Sequence, residues 1–240
     1  MKYSNKIINF GNKKSIIKKL FNDVSKNYNK MNDLMSLGMH RAWKNDMIEQ
    51  LKGEKAKTIL DLAGGTGDVA LKLAKKFKDS RIIVYDLSEN MILESKKKLF
   101  EYKNRIEQIN GSAEQIAIED NSIDLITLSF GLRNFSNIEE SIRECYRVLK
   151  YGKKIFCLEF SPSFSNTIKP FYDLYSYKII PLLGKKVAKN EEAYIYLSDS
   201  IRNFPHNREL KRIFTKNGFF CYNNRKYLGG IAYLNIFCKV

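Results

Sequence analysis

Residues 57–68, Lys57-Thr-Ile-Leu-Asp-Leu-Ala-Gly-Gly-Thr-Gly-Asp68, restrict the fold of this chain more than any other stretch. Thr58 to Leu62 is an apolar, partly β-branched run of the kind that forms a buried strand. It stops at Gly64-Gly65-Thr66-Gly67, and Val69 to Phe77 then follows with helical periodicity. A strand, a glycine turn and a helix N-terminus in succession let backbone come close to a ligand. Glycine has no Cβ to interfere, and the first helical N–H groups lack partners.

Two kinds of ligand suit such a turn. Gly65-x-Gly67-x-x-Ala70 fits the dinucleotide fingerprint, with Asp86 about 20 positions on at the end of the next strand. The carboxylates shift the balance. Asp61 closes the strand and Asp68 opens the helix, where a dinucleotide would place its pyrophosphate, and anions there repel phosphate. A cofactor with an ammonium, a sulfonium and a ribose diol for Asp86 suits these residues better, and S-adenosylmethionine (SAM) has all of these. The plainer alternative makes Asp61 a strand-end residue and Asp68 a helix N-terminal acid favoured by the dipole. A structural turn, however, needs neither the glycines 64, 65 and 67 nor carboxylates at 61, 68 and 86.

From Lys57 onward strand and helix patterns alternate. The strand patterns cover 57–62, 81–87, 105–110, 123–129 and 153–160, and the helical ones 68–77, 89–101 and 137–150. Alternation of this kind predicts an α/β fold, a mostly parallel sheet with right-handed crossovers and helices on both faces. Ligands then bind beyond the carboxyl ends of the strands. Asp61, Asp86, Ser112-Ala113, Ser129-Phe130-Gly131 and Glu159-Phe160 are therefore expected to ring one crevice. Gly218 to Val240, with Gly229-Gly230 between two strand-like runs, reads as a terminal antiparallel hairpin.

At 240 residues and 28.0 kDa, the chain suits a single domain over 1–240. Residues 1–50 read as an N-terminal helical cap. Lys2, Lys6, Lys13, Lys14, Lys18 and Lys19 precede the first acid, Asp23, and Ile16-Ile17 with Leu20-Phe21 supply an apolar face suited to a membrane surface. Tyr28 to Asn45 mixes Met and aromatic residues with His40, Arg41 and the only tryptophan, Trp43. That segment folds over a ligand, packs on the sheet, or does both, and His40 reads as structural. Residues 163–207, where tyrosines and phenylalanines alternate with lysines, read as an inserted helical lid.

The formal charge of +16, from 42 Lys and Arg against 26 Asp and Glu, favours anionic partners or reflects background composition. No run of about 18 uncharged apolar residues occurs, so no transmembrane helix is expected. Cys145, Cys157, Cys221 and Cys238 lack CxxC spacing, which argues against a metal site or disulfide framework and fits a reducing, cytoplasmic compartment. An N-terminus without arginine disfavours a mitochondrial transit peptide, and with it the matrix.

Further segments carry a resemblance: Tyr28-x-x-Met-Asn-Asp33, Gly38-x-His40-Arg41-x-Trp43-Lys44, Phe130-Gly131-Leu132-Arg133-Asn134, Leu158-Glu159-Phe160-Ser161 and Ser200-Ile201-Arg202-x-Phe204-Pro205. With Asp61 to Asp68, they make nearly the whole chain after residue 20 resemble the class I SAM-dependent C-methyltransferases of ubiquinone and menaquinone biosynthesis, the UbiE/MenG/COQ5 type. The chain departs from that pattern at Lys150-Tyr-Gly-Lys153, at Phe204-Pro205-His206-Asn207 and at Asn235, where a histidine is common.

The resemblance implies a Rossmann-like fold of seven strands ending in the antiparallel hairpin. Gly64, Gly65, Thr66 and Gly67 would wrap the methionine end of SAM, with Asp61 near its ammonium and Asp86 on the ribose. Ser112 and Ala113 would flank the adenine, and Ser129 would line the cofactor. The substrate would be a polyprenylated benzoquinol or naphthoquinol, with Arg133, Asn134 and Tyr28 as candidates for contact with a ring oxygen and no metal required. For Arg133 the alternative is a salt bridge that holds its loop. A peripheral membrane surface, a quinone-biosynthesis complex and a homodimer are the further partners considered, and no nucleic acid is expected. Another small-molecule or RNA methyltransferase, or a scaffold that binds SAM without turnover, are the competing readings.

Overall fold

β1 (Thr58–Leu62) is buried over its last four residues. It lies at the centre of a seven-stranded sheet in the computed structural model, which describes residues 10–25, 32–33, 36–162 and 191–240. β1 pairs in parallel with β2 (Arg81–Asp86) on one side and β4 (Ile123–Ser129) on the other. β3 (Ile106–Asn110) adds outside β2 and β5 (Leu149–Phe160) outside β4, again in parallel. β6 (Phe219–Tyr227) and β7 (Ala232–Lys239) form the expected hairpin, with β7 antiparallel to β5 and the order β3-β2-β1-β4-β5-β7-β6.

Strands covered on both faces must be apolar at successive positions, and β1 shows how that is used. Ile59 packs with Val84, Leu125 and Phe156 on one face, whereas Leu60 packs with Ile83, Ile126 and Ile155 on the other. The first face is covered by α1 (Phe10–Val24), α2 (Met39–Gln50), α3 (Asp68–Lys76), α4 (Glu89–Lys98) and α6 (Glu191–Arg202). The second is covered by α5 (Ile138–Val148) and α7 (Asn207–Lys216).

β5 begins at Leu149 rather than 153. Leu149 is fully buried and pairs with Ile123, while Tyr151 and Gly152, the latter at φ 72°, are exposed and hide the strand from a pattern reading. The helix expected over 89–101 ends at Lys98 and gives way to a tight 3-10 turn, Phe100–Tyr102.

The apolar face of α1 corrects the reading that offered it to a membrane. Ile17 is 4% exposed, and Leu20 and Phe21 pack against the same core cluster. Polar contacts fix the helix there: Lys18 pairs with Glu89 at 2.7 Å, and Asn22 Oδ1 accepts the Ser88 hydroxyl at 2.6 Å. Lys2 and Lys6, Tyr28, and residues 163–190 of the expected lid lie outside the described residues.

Candidate cofactor site

The sheet order turns back between β1 and β4, and ligands of open α/β sheets bind beyond the carboxyl ends of the strands at that point. A crevice opens there, with about 610 Å³ of space not filled by protein when its open, solvent-facing part is included. Leu62, Ala63 and Gly65 line it from β1, Tyr85, Asp86 and Leu87 from β2, and Ala113 and Glu114 from β3. Phe130, Asn134 and Phe135 follow from β4, and Ile17 and Phe21 of α1 close one side.

The glycine turn is built for close approach. Gly65 and Gly67 have φ of 56° and 79°, a region that costs other residues strain. A Cβ on Gly64 would lie 2.8 Å from Val84 Cγ1 and 2.9 Å from Asp61 Oδ2.

Asp86 holds this turn and faces the crevice. Its Oδ2 accepts the Gly65 N–H and its Oδ1 the Ser88 N–H, each at 2.9 Å. A carboxylate has about four acceptor sites, so half remain for the hydroxyls of a ribose. Burial pushes the Asp86 pKa up to about 6, against the pull of the two N–H donors.

Asp61 is 1% exposed. Its Oδ1 accepts the Thr127 hydroxyl at 2.8 Å, and its Oδ2 is buried without a hydrogen-bond partner. Burial lifts its pKa to about 7, opposed by the Thr127 hydrogen bond and the nearby Lys44. An orphaned carboxylate oxygen beside a glycine turn is what an ammonium would satisfy, so the residues fit SAM at its amino-acid end as well as at its ribose. Asp68 differs from the sequence reading. It forms ion pairs with Lys98 and with Lys44, the latter at 3.7 Å, so it is not a free anion. The charge argument against a pyrophosphate therefore rests on Asp61 and Asp86 alone.

Of the expected cofactor residues, Gly65, Asp86 and Ala113 line the crevice, and Asp61, Gly64, Thr66, Gly67, Ser112 and Ser129 do not. The Ser112 hydroxyl turns to Glu114, whose carboxylate also accepts the Ser136 N–H at 2.7 Å and so ties the loop after β3 to that after β4. Ser129 Oγ is buried without a hydrogen-bond partner.

Arg133 and Asn134 lie together in a tight turn, Leu132–Asn134, just past β4. Arg133 is 4% exposed, and its Nη1 donates to Glu159 Oε1 and to the Phe130 carbonyl, each at 2.6 Å. Its Nε and Nη2 have no hydrogen-bond partner. Asn134 lines the crevice, and its Oδ1 accepts the Tyr196 hydroxyl at 3.1 Å. Sequence reasoning did not single out Tyr196, Glu114 or the crevice wall formed by Ile17 and Phe21.

The Trp43 ring packs 6.3 Å from Phe130, 6.0 Å from Phe160 and 5.8 Å from Tyr227, forming an aromatic wall behind the same turn. His40 is buried with Nδ1 2.9 Å from Ser36 Oγ, and burial lowers its pKa to about 4. Among the described residues no group of three or more His, Cys, Asp or Glu is placed to hold a metal ion, and no helix is long and apolar enough to cross a membrane.

Residues 9–239 match the profile of the ubiE/COQ5 methyltransferase family. The chain is 40% identical over 233 residues to the ubiquinone/menaquinone biosynthesis C-methyltransferase UbiE of Rickettsia bellii, covering 95% of this chain and 94% of that one. It is 39% identical over 238 residues to the protein of the same name from Legionella pneumophila, covering 98% and 95%. Among solved structures, a putative S-adenosyl-L-methionine-dependent methyltransferase from Methanococcus maripaludis has the same fold, with TM-score 0.61 and 20% identity over 92% of this chain and 94% of that one.

Proposed function

The chain belongs to the ubiE/COQ5 methyltransferase family, and from that premise we propose that it transfers a methyl group from SAM to a ring carbon of a polyprenylated benzoquinol or naphthoquinol. It is a SAM-dependent C-methyltransferase of ubiquinone and/or menaquinone biosynthesis. The observation that carries this reading is the crevice at the β1–β4 junction, where Asp86 offers free acceptor sites beside the glycine turn.

SAM supplies, when bound, an electrophilic methyl group on a sulfonium. The chain's own residues then have to orient a ring carbon and help a ring oxygen lose or share its proton, because carbon is nucleophilic only in an electron-rich ring. In this reading the unpartnered Nε and Nη2 of Arg133 donate to that oxygen, or to a water that takes the proton. Glu159 holds the guanidinium in place and Tyr196 fixes the Asn134 amide. The wall of Trp43, Phe130 and Phe160 keeps water from the ring. Tyr28 is a further candidate for the oxygen contact.

A polyprenyl quinol resides in the bilayer, so the reading includes peripheral, salt-sensitive contact with an anionic membrane. The basic residues Lys2 to Lys19 and the lysine-laced segment 163–207 are the surfaces proposed for it. It also places one methyltransferase domain beneath an N-terminal cap and a lid, in the cytoplasm, with a homodimer or a biosynthetic complex as further partners. The test is transfer of label from methyl-labelled SAM to a reduced, demethylated prenyl quinol in detergent. Methylated quinol as the product supports the reading, and labelled oxygen ether or no labelled quinol refutes it.

A further inference from the structure

Lys44 is a cation of α2 whose side chain is almost wholly buried. Its side chain is 8% exposed, and its Nζ forms no hydrogen bond among the described residues. Among the described residues its one ion pair is with Asp68 at 3.7 Å, and Asp68 already has Lys98 in closer contact. An ammonium on a side chain that is 8% exposed, with three donors and no protein acceptor within hydrogen-bond reach, is left with donors that a ligand at this turn can take up.

Its surroundings say which ligand. Asp61 is the carboxylate that acts most strongly on Lys44; Arg41 and Lys72 repel it, and Asp33 attracts it. Arg41 is occupied by Asp33, with two hydrogen bonds of 2.6 Å. Asp61 in turn presents a partnerless Oδ2 toward Gly64. A buried anion and a buried cation, each short of hydrogen bonds and both beside one glycine turn, complement a zwitterion. The amino-acid end of SAM is such a group, and it adds no net charge to a cluster in which Lys44 and Lys98 already balance Asp61 and Asp68.

We propose that Lys44 is a direct ligand of the methionine carboxylate of SAM, acting beside Asp61 on the ammonium. This rests on the reading of the crevice as a SAM site. Lys44 thereby links α2 to the cofactor, a role that neither the glycine turn nor Asp86 implies.

The test compares SAM with decarboxylated SAM (S-adenosylmethioninamine), which keeps the sulfonium, ribose and amine but lacks the carboxylate. Affinities are read by calorimetry on the purified protein and on Lys44→Gln, with Lys44→Arg as the charge-conserving control. A lost charge-assisted hydrogen bond corresponds to about tenfold or more in affinity. The expected result is that Lys44→Gln loses about that much for SAM, changes by less than about twofold for the decarboxylated compound, and is partly rescued in Lys44→Arg. Equal losses for both compounds, or none for either, would overturn the assignment. If Lys44→Gln does not fold, Lys44→Arg carries the comparison: a loss for SAM larger than that for the decarboxylated compound supports the assignment, and comparable affinity of the wild-type protein for the two compounds overturns it. A folded wild-type protein that binds neither compound would instead remove the SAM site itself.

Discussion

Asp86 Oδ2 accepts the Gly65 backbone N–H at 2.9 Å across the β1–β2 junction. The carboxylate expected on the ribose therefore also sets the shape of the turn proposed to receive the cofactor. Asp86→Ala removes both functions. SAM affinity should fall by about 5- to 150-fold, the equivalent of roughly 1–3 kcal/mol for donors left unpaired. Unchanged affinity by calorimetry in a folded variant would remove Asp86 from the site.

With Asp61 on the ammonium and Asp86 on the ribose, as proposed, SAM binding should depend on pH. Each holds its proton to higher pH in the folded chain than in the unfolded one, where the value is 3.8. The free protein therefore loses stability as pH rises from that value to about 6 for Asp86 and about 7 for Asp61. Cofactor binding has the opposite sign, because the ribose and the ammonium both require ionised partners. Affinity should rise between about pH 5 and pH 7, by up to about tenfold per unit for each proton released, and level off above. In Asp86→Asn the component near pH 6 should disappear. A flat profile in the wild-type protein would contradict both assignments.

Arg133 is expected to affect turnover more than cofactor binding. Arg133→Lys keeps the charge but loses the planar fork that Glu159 and the Phe130 carbonyl orient. A fall in kcat of at least about tenfold, or roughly 1.4 kcal/mol of barrier, is expected with SAM affinity nearly unchanged. Turnover within about twofold of wild type would leave the Arg133–Glu159 pair as a loop brace only.

Glu159 offers a stability test of the same pair. Both side chains are nearly inaccessible, at 1% and 2%, so Glu159→Ala strands a buried guanidinium. The expected loss is about 3–5 kcal/mol in denaturant unfolding. A loss below about 1 kcal/mol would mean that water or another group takes over the charge.

Membrane contact should be electrostatic. With the apolar face of α1 packed on the core, lysines are left to act, each contributing about 1 kcal/mol near an anionic leaflet. Sedimentation with anionic vesicles should show binding at low salt that is lost at high salt, and little with neutral vesicles. Equal binding to both lipids, or to neither, would leave the charge as a property of composition.

The strands at the centre were legible because burial on both faces forces an apolar run, and the glycines mark where β1 stops. α7 was not read from the sequence. Leu210, Ile213 and Phe214 have helical spacing, but they fall between the lid read as far as 207 and the hairpin read from Gly218, a stretch to which no element was assigned. Amphipathic spacing in α1 shows that a face is apolar, not whether lipid or protein covers it. The burial of Lys44 is likewise tertiary, since nothing in its neighbours along α2 separates a buried lysine from a solvated one. Two departures from the family pattern were read separately but belong together: Asn235 Nδ2 donates to Asn207 Oδ1 at 2.9 Å, so the changed positions meet as one contact.

The position of β7 bears on how the chain is made. It follows every other strand in sequence yet lies inside the sheet, between β5 and β6, with Phe237 fully buried and the Lys239 ammonium held by the Tyr146 and Leu149 carbonyls. A chain emerging from the ribosome at about 5–20 residues per second can assemble β1 to β5 early, but β5 keeps an open edge until β7 has been synthesised. Until then that edge is open to mispairing with another chain.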